Sequence, residues 1–436
     1  MDYTPLPPEW IERIKRQYPH DSEDFIKAVD DHPKTSIRWH RVRSKGLNSA
    51  LLPEWLQGSI PVPWSEHGIF LKERPVFTLD PLFHAGAYYV QEASSMFLTA
   101  VLEFLNLTDN PLILDSCAAP GGKSTAVLDF LHHRGFLVAN EVIPNRSKIA
   151  AMQLSRWGYD NFMVTRSPIA RFGLLSPLFD AILVDAPCSG EGMFRKSPHA
   201  RGEWSTESAA QCAIRQASIL DDLWPAVLPG GYLIYSTCTF NPEENERQLE
   251  QLLSRADAEW VDLSGIAPSE AKAQGGGISF LPHRASGEGF FLAVVRKKGR
   301  GDDRVDGYGW SEPPKIVNYR KETWLIKGGS ERIIAAIPGL QLVQNGRGLQ
   351  TVKGSSAIPH QHAAWQLIPH ETAAPRIELT LAEAHQYLKG LSIAREANRG
   401  WAIVTYANLP LGWIKSTGNR LNNHYLKSER IAMDLV

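Results

Sequence analysis

At 436 residues, 43% hydrophobic and 21% charged, the chain is too long for one ordinary core and too apolar for disorder, so two or three globular domains are expected. A formal net charge of −1 excludes nucleic-acid binding through overall basicity, and any such footprint must be local. Four cysteines without CxxC spacing argue against a zinc knuckle and for free thiols. With no signal-peptide pattern and no apolar run of membrane-spanning length, a cytoplasmic, monomeric protein without metal or membrane attachment is expected.

Residues 1 to about 90 mix proline-rich turns with short amphipathic pieces such as "EWIERIKRQY" and the strand-like "TSIRWHRVR". Eleven basic and thirteen acidic residues in positions 1–95 rule out a basic arm. Arg38, His40, Arg41 and Arg43 form a local cluster, read either as a nucleic-acid contact or as a solvated strand face.

From about 91 the pattern changes. "PLILDSC", "GFLVANEV", "FDAILVDAPC" and "GYLIYSTCTF" are apolar runs of strand length, separated by helix-compatible stretches such as "NRSKIAAMQLSRWG" and "ESAAQCAIRQASILDDLWPAVL". This alternation implies βαβ units in an open, Rossmann-like α/β sheet with ligands at the strands' carboxyl ends. "GISFLPHRASGEGFFLAVVRKK" reads as a closing hairpin near 278–298.

A charged, glycine-rich linker, "KKGRGDDRVDGYG", follows, and then short strands with Gly and Asn turns dominate. Residues 301–436 hold sixteen basic and twelve acidic residues, densest in "IKSTGNRLNNHYLKSER", the best local candidate for a nucleic-acid-facing surface. The expected domains are a small α+β N-terminal RNA-binding domain (1–90), a catalytic domain (91–300), a linker with an intermediate subdomain (301–375) and a β-rich C-terminal domain (376–436).

"PLILDSCAAPGGKST" places Gly121-Gly122-Lys123-Ser124 after a strand ending in Asp115. It imitates a phosphate-binding P-loop, but that pattern needs a glycine six residues before the lysine, and Cys117 stands there. A nucleoside-type cofactor is the rival. Glu141, 20 residues after Gly121 and ending the second strand, is placed to accept ribose hydroxyls. With no phosphate clamp needed, S-adenosylmethionine (SAM) fits better than a dinucleotide.

Cys188 and Cys238 each end a strand at the rim where the ligand should lie, whereas Cys212 falls in a helical stretch and reads as a small hydrophobe. Asn241-Pro242 predicts a helix N-terminus just past Cys238, which would favour its thiolate. A thiolate beside SAM suits C5 methylation of a pyrimidine: attack at C6 turns C5 into an enamine-like nucleophile. For cytosine, N3 needs a proton or a strong hydrogen bond, and Asp185 is placed to supply it. One cysteine attacks and the other assists release; chemistry alone leaves the order open.

Four motifs, "DSCAAPGGKST", "DAPCSGEGMFRK", "YSTCTFNPEENE" and "RASGEGFFLAVVRK", resemble the Nop/Sun family of SAM-dependent RNA cytosine-5 methyltransferases. The tail "PLGWIKSTGNRLNNHYLKSERI" is similar to the PUA-like ending of the bacterial 16S ribosomal RNA (RsmF-like) branch. The resemblance implies that Cys238 is the nucleophile and Cys188 assists release. It implies SAM contacts from Cys117, Ala118, Ala119, Pro120, Gly121, Gly122, Lys123, Glu141, Arg146 and Asp185, with Lys123 also orienting the base. Many relatives carry an Asp after the third strand; here Ser167 holds that position, leaving adenine recognition to a serine or a backbone N–H. The implied partner is RNA, 16S ribosomal RNA or the small subunit, with transfer RNA, a non-catalytic assembly factor and a P-loop-like ATPase as alternatives.

Overall fold

The computed structural model describes residues 4–174, 177–299, 312–367 and 374–433. Its centre is the expected doubly wound α/β sheet. Strands Leu112–Asp115, Phe136–Asn140 and Phe162–Thr165 step outward in one direction; Phe179–Asp185 and Val227–Thr237 then lie on the other side of the first strand, all five parallel. Phe290–Lys297 runs antiparallel to Val227–Thr237, and Gly277–Phe280 pairs antiparallel with it, which is the closing hairpin read in the sequence.

Each parallel strand is apolar on both faces because helices cover both. Ile113, Leu137, Leu183 and Ile234 pack with Leu98, Val127, Leu128 and Leu154 on one side. Leu112, Leu114, Val138, Ile182 and Val184 pack with Ile219, Leu220, Leu249 and Leu252 on the other. Strand order reverses between Leu112–Asp115 and Phe179–Asp185, which opens a crevice beyond their carboxyl ends, where Asp115 and Asp185 stand.

The sheet also recruits a strand from the region beyond the linker. Leu342–Asn345 pairs antiparallel with Phe162–Thr165, and the hydroxyl of Ser167 accepts the Gln341 N–H at 2.9 Å. The rest of that region forms a four-stranded antiparallel sheet from Lys315 to Pro359. The last region is a five-stranded sheet around the Leu381–Leu388 helix.

The N-terminal part comprises helices Pro8–Gln17 and Ser22–Asp30 and a four-stranded antiparallel sheet. The helices share a core with the catalytic rim: Trp10, Ile14, Phe25 and Val29 pack on Phe194, Trp204, Phe240 and Leu281. Here the structure corrects the solvated or RNA-facing reading of the basic cluster. Arg38 is 1%, His40 0% and Arg43 4% exposed. Arg38 bonds Asp129 at 2.5 Å, Thr125 at 2.7 Å and Gln91 at 2.8 Å. Arg43 donates to the carbonyls of Ala85, Arg156 and Trp365. Only Arg41 of the four keeps a half-exposed side chain, near Glu103. The cluster fastens the N-terminal part to the catalytic domain, since a buried guanidinium must find acceptors on every side.

Candidate active site

Gly121 takes φ +119 and opens the Gly122–Leu131 helix, a left-handed turn that glycine makes without steric cost. It also lets the loop pass close to the Pro144–Trp157 helix, because a Cβ there would lie 3.1 Å from Cβ of Gln153. Ser124 Oγ donates to Asp115 Oδ2 at 2.6 Å, tying the helix to the strand end. Burial pushes the Asp115 carboxyl up to about 7 and the Cys117 thiol up to about 12, so Cys117 stays a neutral thiol.

Glu141, 4% exposed, accepts the Ile143 N–H at 2.9 Å and lies 3.4 Å from Arg146, whose guanidinium also donates to Ala119 O of the glycine loop. Ser167 sits one strand further out. It is fully buried; its N–H bonds Asn140 Oδ1 and its hydroxyl receives the Gln341 N–H.

On the far side of the crevice, Lys123 Nζ pairs with Asp185 Oδ1 at 2.8 Å and Ser236 Oγ donates to the same oxygen at 3.0 Å. Burial works against the lysine's charge, but the Asp185 carboxylate beside it and then Cys238 outweigh it, and its pKa is raised. Cys188 and Cys238 end adjacent strands, and their Sγ atoms lie 3.3 Å apart. The hydrogen bond to Cys238 and burial hold the Cys188 thiol well above its ordinary value. Cys212 lies on the Thr206–Leu223 helix, as its helical stretch indicated, and is half-buried.

The helix expected at Pro242 starts at Glu246 instead. Asn241 Oδ1 accepts the Glu243 N–H and closes a tight turn, and Asn245 becomes the cap position. The cationic neighbour of Cys238 is therefore Lys123, brought by the first turn of the Gly122–Leu131 helix.

Two buried carboxylates received no role from the sequence although both stand in the quoted motifs. Glu191 accepts from Arg13 at 2.6 Å, Trp204 Nε1 at 3.0 Å and the Phe240 N–H at 3.1 Å. Gln17 Nε2 donates to Phe240 O, and Gly192 N to Cys238 O at 2.8 Å. Glu244 accepts the Ser189 N–H at 2.8 Å, the Ser189 hydroxyl, and Gln216 Nε2 at 3.0 Å. A glutamate looks the same in a sequence whether it is solvated or walled in, so no signal marked either one.

The description "16S rRNA methyltransferase RsmB/F" matches residues 102–296, "N-terminal domain of 16S rRNA methyltransferase RsmF" residues 6–93, and "Methyltransferase RsmF PUA domain" residues 374–431. A ribosomal RNA small subunit methyltransferase F of Escherichia coli (strain UMN026) is 32% identical over 92% of this chain and 91% of its own length. The chain belongs to the RsmB/F family. It is an RNA methyltransferase of that SAM-dependent family, with a C-terminal PUA domain. The Erwinia tasmaniensis protein of the same name is 29% identical over 96% of both chains. A solved methyltransferase homologue from Pyrococcus horikoshii matches 67% of this chain and 100% of its own, with TM-score 0.53 and 26% identity. NSun6 of the same organism, solved with SFG, shares the fold at TM-score 0.56 and 19% identity.

The crevice suits the family's cofactor. The glycine loop offers backbone N–H groups at a helix start, and Glu141 and Asp185 stand at strand ends on either side. Among the described residues no helix is long and apolar enough to cross a membrane, and no group of three or more His, Cys, Asp or Glu could hold a metal.

Proposed function

We propose that this protein methylates C5 of a cytosine in 16S ribosomal RNA, with Cys238 as nucleophile, Asp185 acting at N3 and Cys188 assisting release. The observation that carries the reading is the pair of sulfurs 3.3 Å apart beside the Lys123–Asp185 ion pair. Glu141, Asp185 and the 117–123 loop would hold SAM, with Arg146 beside them. When bound, SAM supplies an electrophilic methyl group.

Cys238 Sγ attacks C6, and the C5–C6 electron pair becomes available at C5. Lys123 and Ser236 both occupy Asp185 Oδ1, which leaves Oδ2 to carry the proton that N3 takes as Cys238 attacks and that returns to Oδ2 when the C6–S bond has broken. After methylation the C5 proton leaves to water and its electron pair restores the C5–C6 double bond. The C6–S bond breaks with its pair returning to Cys238, where a protonated Cys188 donates a hydrogen bond to the departing sulfur. The base must reach the rim single-stranded or flipped, at a cost of a few kcal/mol.

The test is bisulfite sequencing of ribosomal and transfer RNA from cells with and without the protein. Loss of a protected cytosine in 16S RNA is expected. Loss in transfer RNA alone would overturn the substrate, and no change in either would overturn the reaction.

A further inference from the structure

Glu244 is fully buried, and its carboxylate meets the backbone on both sides of Cys188, directly at Ser189 and through Gln216 at Pro187. Ser189 directs its N–H and its hydroxyl at the carboxylate. Gln216 Nε2 donates both to Glu244 Oε2 and to Pro187 O, each at 3.0 Å. Thr239 Oγ1, from the other cysteine loop, is 3.4 Å from Oε1. Ser189 and Gln216 present donors to Glu244, and an acceptor-only group such as a carboxylate satisfies them together. The main chain at Glu244 is fixed in turn by the Tyr235 hydroxyl, 2.6 Å from Glu244 O.

Cys238 is held by a different set. Gly192 N–H takes its carbonyl, Glu191 and Gln17 take the two polar groups of Phe240, and Asn245 takes Thr239 O. The two thiols thus have different main anchors, Glu191 for the main chain after Cys238 and Glu244 for the main chain around Cys188, with the hydroxyls of Ser189 and Thr239, 2.9 Å apart, joining the loops beside Glu244.

We infer that Glu244 is a positioning residue for Cys188, acting on product release and not on nucleophilic attack. This rests on the division of labour between the thiols proposed above. The Glu244 charge also adds to the factors that keep Cys188 protonated, after the hydrogen bond that Cys188 gives to Cys238, burial and the charge of Cys238, which favours the form that donates to the leaving sulfur.

The test follows adduct and turnover together, using 16S ribosomal RNA and SAM with wild-type protein, Cys188→Ala, Glu244→Gln, Glu244→Asp and Ser189→Ala. The amide of Glu244→Gln turns an N–H toward donors. Expected is adduct formation at the wild-type rate, accumulation of the RNA–protein adduct on denaturing gels, and turnover lower by roughly tenfold or more, the scale of a lost charge-assisted hydrogen bond. Glu244→Asp, which keeps the charge, should recover part of the turnover. Ser189→Ala should show the same pattern more weakly, and it decides the question if Glu244→Gln does not fold. Slowed adduct formation, or wild-type turnover without accumulation, would overturn the role of Glu244. An adduct absent from Cys188→Ala would instead overturn the underlying reading of the two thiols.

Discussion

Two clusters of ionisable residues stand out in this chain, and they put the same chemistry to opposite uses. At the rim, Asp185, Cys188 and Cys238 from two adjacent strand ends meet Lys123 from a helix N-terminus, and the Asp185 side chain keeps 32% of its surface open. At the N-terminal interface, Arg38, His40 and Arg43 are sealed among Asp129, Thr125 and main-chain carbonyls. An ion pair that retains solvent and an open oxygen can still act on a ligand. One whose every donor is spent on the protein can only hold parts together.

The largest expected effects lie at the rim. Cys238→Ala should lose all methyl transfer, measured by incorporation of labelled methyl into 16S RNA, while Cys188→Ala should form an RNA adduct that persists on denaturing gels. An adduct held by Cys238→Ala would reverse the two roles.

Next comes the sealed cluster. Arg38→Met leaves Asp129 buried without its cation and should cost about 3–5 kcal/mol in urea unfolding. A loss comparable to that of a surface pair, below about 1 kcal/mol, would break the contrast between the regions.

His40 gives a smaller, pH-dependent effect. Burial, against the pull of Asp129, holds its pKa near 3; the ring stays neutral, donating from Nε2 to Trp157 O and accepting the Val42 N–H at Nδ1. A folded pKa below the unfolded value of about 6.5 means that protons favour the unfolded chain. The contribution is full above pH 6.5 and is lost as pH falls toward 3. Between pH 6.5 and 5 the loss should be about 2 kcal/mol, read as the difference in urea midpoints between wild type and His40→Gln. Equal slopes for the two would remove His40 from the sealed cluster. Smallest is Cys212→Ser, a half-buried position on the helix that carries Gln216, expected within about 0.5 kcal/mol of wild type and fully active.

The catalytic sheet was legible because its strands are apolar on both faces and alternate with helical stretches, a pattern local to each segment. The rim residues were legible because strand ends in such a sheet converge wherever the chain order reverses. The sealed cluster was not: "IRWHRVR" has the spacing of a solvated strand, and its interior character comes from partners far along the chain, such as Gln91, Asp129 and the Arg156 carbonyl. The same holds for Glu191 and Glu244, whose partners come from other elements. The turn at 241–245 was misplaced for a local reason, since Asn241 closes an Asx turn as readily as it caps a helix.

The strand at Leu342–Asn345 carries a consequence for biosynthesis. Until it emerges from the ribosome, Phe162–Thr165 is an open edge, a row of unpaired N–H and C=O groups able to template pairing with another nascent chain. The sheet that carries both thiols is therefore completed only after the linker and the hairpin of strands Lys315–Tyr319 and Glu322–Ile326 have been translated. Cutting the gene at the apparent end of the catalytic motifs would yield a protein with its chemistry spelled out in full and its aggregation guard removed.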